Sequence, residues 1–85
     1  MNRKKLLNRI TRGNISNVSF SDMVNLATSF GFQLGRVQGS HHIFKHSDIP
    51  ELLNLQEVHG DAKPYQIRQF LRLVERYNLS MEADR

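Results

Sequence analysis

The chain has no cysteine, and only 8% of its 85 residues are aromatic. Without thiols it can build neither disulfides nor thiolate metal sites, a usage that fits a reducing compartment. No apolar run approaches the roughly 20 residues that a membrane-spanning helix needs, and the basic start lacks the long apolar stretch of a secretory signal. These absences point to a soluble, cytoplasmic protein with no membrane partner. Most aromatics fall at core spacing. Tyr77 remains as the candidate for stacking on a base, so recognition of shape and backbone is expected over readout of stacked bases.

Acidic residues are missing from one stretch. Residues 1–12 hold Arg3, Lys4, Lys5, Arg9 and Arg12 and no carboxylate. Of 12 Lys and Arg and 8 Asp and Glu in all, seven cations and all eight acids lie beyond residue 12. The basic excess is therefore an arm and not a property of the whole chain. Such an arm favours a polyanion such as nucleic acid, or serves as a solvated tail.

The length suits one domain that buries about 60% of its unfolded surface, with a single small core. Leu6, Leu7 and Ile10 give residues 2–12 one apolar helical edge. Gly13-Asn14 ends it, and residues 14–18 read as a linker. Ser19 and Asp22 have capping-box spacing, and Phe20, Met23, Val24, Ala27 and Phe30 form the apolar face of a helix that stops at Gly31. Residues 32–38 and 41–46 read as a hairpin around Gly39-Ser40, and Glu51–Val58 as a third strand. After Gly60-Asp61 a last helix opens with Pro64, with Tyr65, Ile67, Phe70, Leu71, Val74 and Tyr77 on its buried side.

The expected fold is α+β with two layers: a three-stranded antiparallel sheet flanked on one face by two helices, plus an extra N-terminal helix. Residues 1–18 read as a basic helical extension and linker, 19–80 as the domain, and 81–85 as a frayed tail.

Gly39-Ser40-His41-His42-Ile43-Phe44-Lys45-His46 is the densest chemistry in the chain. In a strand, residues two apart share a face. If Phe44 faces the core, His41 and Lys45 face outward together. His42 and His46 share the other face but stand about 13 Å apart, too far for two ligands of one zinc. No metal and no cofactor are expected. A histidine with a reference pKa of about 6.5 can take a proton from a ribose 2′-hydroxyl, whose oxygen then attacks the adjacent phosphate.

In that reading Arg36, Lys45 and Lys63 bind or stabilise the phosphate, Gly39 shapes the turn and Ser40 orients His41. Arg68, Arg72 and Arg76 recur every four residues and make a basic stripe suited to tracking phosphates, or a solvated helix face. The general acid stays open between Lys45, on the right face, and His59, with the better reference pKa. A non-catalytic RNA-binding module of the same fold fits the same residues.

This octapeptide, Gly31-Phe32 before it and the block Gly60–Leu71 after it resemble the HicA toxin family over roughly residues 19–79. The resemblance implies a fold like that of double-stranded-RNA-binding domains and metal-independent cleavage of mRNA. It makes the first histidine after Gly-Ser, here His41, the catalytic residue. It also implies a HicB-like antitoxin covering the active face, and operator DNA reached only through the antitoxin complex. Residues 1–18 exceed the shortest family members.

Overall fold

The computed structural model describes residues 1–82. Asn2 starts α1 (Arg3–Thr11) by accepting the backbone N–H groups of Lys4 and Lys5 at 2.8 and 3.2 Å. Ser19 starts α2 (Phe20–Ser29) in the same way, with its hydroxyl accepting from the Asp22 N–H at 3.1 Å. Each cap satisfies N–H groups that a first helical turn leaves unpaired. The sheet follows as β1 (Gln33–Gln38), β2 (His41–Lys45), β3 (Leu53–Val58) and β4 (Asp61–Ala62), and α3 spans Pro64–Arg76. The strands pair antiparallel in chain order, so β1 and β4 are the edges.

The sheet thus has four strands where three were expected. β4 is only two residues long and has no periodicity of its own. Its existence depends on neighbours: Asp61 pairs with Val58 and bridges to Ser19, and the Ala62 N–H donates to the Val18 carbonyl at 2.9 Å. The third strand begins at Leu53, two residues later than its apolar pattern suggested. Where β4 is too short to reach the Gln56 N–H, the buried side chain of Gln66 accepts that hydrogen at 2.6 Å. A side chain on α3 here substitutes for the missing strand residue.

Both sandwich helices lie against one face of the sheet, α3 on β3 and α2 on β3 and β4. Phe44, Leu53 and Leu55 point into that layer and are at most 2% exposed. Phe70 meets them from α3, edge-on to Phe30 with ring centroids 5.3 Å apart. Each such aromatic contributes roughly 1.5–3 kcal/mol by leaving water. Tyr65, expected on the buried side of α3, is 55% exposed, because it sits in the first turn beyond the sheet edge; Gln66 and Leu73 are buried instead. α1 packs on α2 and contributes Leu6 and Ile10 to the same core, as the linker does with Ile15 and Val18. Met81, expected in the frayed end, is buried too; the rest of that tail, from residue 83, lies outside the described residues.

Two polar clamps fix the sheet to the helices. His46 is buried, its Nε2–H donating to the Phe30 carbonyl at 2.9 Å and its Nδ1 accepting from the Asp48 N–H at 3.0 Å. It therefore ties the end of β2 to the end of α2 as a neutral tautomer. At the other end of α3, Tyr77 donates its hydroxyl to Glu51 at 2.6 Å and Arg76 reaches the same carboxylate at 3.1 Å. The Tyr77 hydrogen bond, then Arg76, hold the Glu51 carboxyl below its ordinary range; donating to Glu51 pushes the Tyr77 phenol up. Among the described residues no helix is long and apolar enough to cross a membrane.

Gly31 ends α2 in the left-handed region, with φ at +95°, and a Cβ there would stand 2.7 Å from His46 Nε2. Gly13 has a similar φ of +93° with open space around it. Gly13→Ala should therefore cost only left-handed strain, about 1–2 kcal/mol. Gly31→Ala should cost measurably more, because His46 must give up its place. Equal losses in denaturant titrations of the two variants would contradict this clamp.

Candidate active site

Alternation along β2 divides its histidines between two environments. His42 and Phe44 pair across to Leu55 and Leu53 on the covered face. The His42 ring lies 4.7 Å from that of Phe20, and its Nδ1–H donates to the Ser40 carbonyl at 3.2 Å. His41, Ile43 and Lys45 take the open face. Two of the three clustered histidines are thus occupied in packing, and His41 alone is presented outward.

The turn before it is held on both sides. Gly39 has φ at +61° while Ser40 stays at negative φ, which suits a two-residue hairpin with glycine in the first central position. The Ser40 carbonyl also accepts the Glu57 N–H at 3.3 Å, which fastens the turn to the end of β3. His59, at the corresponding β3–β4 turn, is exposed and sits at φ +52° beside Gly60 at +84°. The two turns lie at the same end of the sheet.

His41 is half-buried and opposite Gln38 on one side and Gln56 on the other. Its Nδ1 lies 3.0 Å from Asn54 Nδ2 and 3.3 Å from Asn54 Oδ1. Its Nε2 has no partner among the described residues. An imidazole gripped at one nitrogen and open at the other is oriented for proton transfer at the open one.

Arg36 and Lys45 share this open face. The ladder slips at Gly35, a bulge that sets Arg36 opposite Ile43 and so turns it outward. Lys45 is two residues along from Ile43, about 7 Å by strand rise. Both cations are exposed, and neither has a carboxylate partner among the described residues. β1 and β2 carry no acid at all, and the acid on the outward register is Asp61 at the β4 edge, opposite Val58.

The remaining expected site residues lie elsewhere. Lys63 is the residue before α3, beyond β4, with its ammonium 5.8 Å above the Tyr65 ring. Arg68 and Arg72 are exposed on α3, in the helical layer, with the sheet between them and His41. Arg76 is engaged by Glu51. An apolar cleft of about 520 Å³ lined by Leu7, Phe30, Leu71, Val74 and Leu79 also lies on the helical side, away from the histidine. No group of three or more His, Asp or Glu side chains suited to a metal occurs among the described residues.

Asn54 was missed in the sequence. Its signal was there: one amide between two leucines is what period-two burial leaves on the outer face of a strand. The adjoining Leu52 broke the alternation and hid the register.

Residues 20–75 match the family model for the HicA toxin of bacterial toxin–antitoxin systems. No curated protein and no solved structure matches the chain. The family match takes in all four strands, His41 and nearly all of α3, and so well over half of the sequence: this chain belongs to the HicA toxin family.

Proposed function

We propose that this toxin is a metal-independent endoribonuclease that cleaves mRNA at the open face of its sheet. The observation that carries the reading is His41, held at Nδ1 by Asn54 and open at Nε2 on the face that also carries Arg36 and Lys45. In the reaction, Nε2 takes the proton of a ribose 2′-hydroxyl. The 2′-oxygen bonds to the adjacent phosphorus as the 5′-oxygen leaves with a proton, giving a 2′,3′-cyclic phosphate and a 5′-hydroxyl. Arg36 and Lys45 stabilise the charge that builds on the phosphoryl oxygens. The nucleophile comes with the substrate, and side-chain cations take the role a metal would have.

The order α2–β1–β2–β3–α3, with helices on one face only, is compatible with the fold of double-stranded-RNA-binding domains. The open positive face also suits a HicB-like antitoxin that covers it with acidic groups. Operator DNA would then be bound by the complex through the antitoxin. Lys63 extends phosphate contact past β4, and Arg68 and Arg72 meet only RNA long enough to pass round to the helical layer.

Incubating wild type and His41→Ala with a defined single-stranded mRNA in EDTA tests the chemistry. Wild type should cut and leave 2′,3′-cyclic phosphate ends, and the variant should be slower by roughly 10²–10⁴-fold while keeping its RNA affinity. Products with 3′-hydroxyl ends, or equal cutting by both, would remove this mechanism. Binding without cutting by either would favour the non-catalytic module.

The charge assignment has its own check in short single-stranded RNA. Replacing Arg36 and Lys45 with Gln should weaken binding and flatten the slope of log K against log salt by about 1.4, or ~0.7 per contact. Replacing Arg68 and Arg72 should do less. The reverse order would move the RNA to the helical layer.

A further inference from the structure

We infer that Asn54 is the positioning residue of this site, and that the orientation of its amide decides which nitrogen of His41 carries the proton. The inference rests on the ribonuclease reading for its purpose, and on the geometry of the pair for its substance. Asn54 sits on β3 opposite Ile43, between Leu53 and Leu55, both 0% exposed. Those leucines anchor the backbone, so the amide projects from a fixed point. Both of its polar atoms lie within reach of the same imidazole nitrogen, at 3.0 and 3.3 Å.

The two orientations have opposite consequences. With Nδ2–H donating to Nδ1, the imidazole proton resides on Nε2, and the ring can give a hydrogen bond outward but cannot take a proton there. With Oδ1 turned to Nδ1, the proton resides on Nδ1 and the Nε2 lone pair faces the substrate. The second arrangement is the base. It also serves the imidazolium formed once the 2′-hydroxyl has been deprotonated, because Nδ1 still has a hydrogen to donate to Oδ1. A half-turn of the amide separates the two arrangements, and no backbone movement is required.

An amide suits this position better than a carboxylate. The charged groups that share the open face with His41 are Arg36 on β1, Lys45 on β2 and, two strands away opposite Val58, Asp61 on β4. Gln38 and Gln56 oppose the histidine, Glu57 follows on β3, and the helices pack on the other face. A carboxylate at position 54 would favour the imidazolium and so hold the ring protonated to higher pH, where it is useless as a base. Asn54 orients without adding charge.

The test compares wild type, Asn54→Ala, Asn54→Asp and His41→Ala, reading cleavage against pH, RNA affinity, and the ring-nitrogen NMR signals of His41. Asn54→Ala should keep RNA affinity, lower kcat by roughly 10–100-fold, and return His41 to the mixed tautomers of a free imidazole. Asn54→Asp should move the His41 titration, and with it the acid limb of the rate profile, to higher pH by about one unit or more. The aspartate variant is isosteric and decides the matter if the alanine variant folds poorly. Wild-type kcat in Asn54→Ala with unchanged His41 signals, or an unmoved titration in Asn54→Asp, would overturn the inference. Undiminished cleavage by His41→Ala would instead remove His41 as the base, and the ring-nitrogen signals of wild type and the Asn54 variants would still judge the Asn54 contact.

Discussion

The inward placement of Phe44 on β2 and of His46 just past its end is the constraint on which the rest depends. Phe44 is 2% exposed among Leu53 and Leu55, and His46 is fixed at both ring nitrogens by backbone groups. With those two side chains committed inward, the pleat sends His41, Ile43 and Lys45 outward. A one-residue slip of this strand would bury the lysine and expose the phenylalanine, so packing specifies the register strongly. The orientation of the candidate base is thus fixed by residues that take no part in chemistry.

The same division explains why the molecule has one bare face. The helices seal the inner side of β3 and β4, and α1 reinforces them through Leu6 and Ile10. The outer side keeps amides, the cations Arg36 and Lys45, one half-buried histidine, Ile43 and, at the β4 edge, Val58 and Asp61. A charged strand surface with no acid on β1 or β2 is suited to a polyanion, whether the phosphates of RNA or the carboxylates of a protein that blocks them. Family membership supplies the biological frame of a toxin and its antitoxin, and the residues supply the chemistry.

Much of this was legible from local pattern. The Ser19 cap, the start of α3 at Pro64, the stop at Gly31 and the Gly39-Ser40 hairpin all follow from short-range rules. What escaped depends on contacts between distant segments. β4 exists because Val58 and the Val18–Ser19 segment are there to pair with it. Tyr65 is exposed because the sheet ends beneath it. Tyr77, the expected stacking residue, is half-buried and donates to Glu51 across 26 positions of sequence. Asn54 meets His41 only through the β2–β3 pairing, which a periodic pattern blurred by Leu52 could not fix.

The most direct test of the account is where RNA touches the protein. Amide NMR spectra recorded while adding a single-stranded RNA blocked at every 2′-hydroxyl by methylation would map binding without cleavage. The account predicts perturbations centred on Arg36, His41, Lys45 and Asn54. Shifts confined to α1 and α3, with the open sheet face silent, would contradict it.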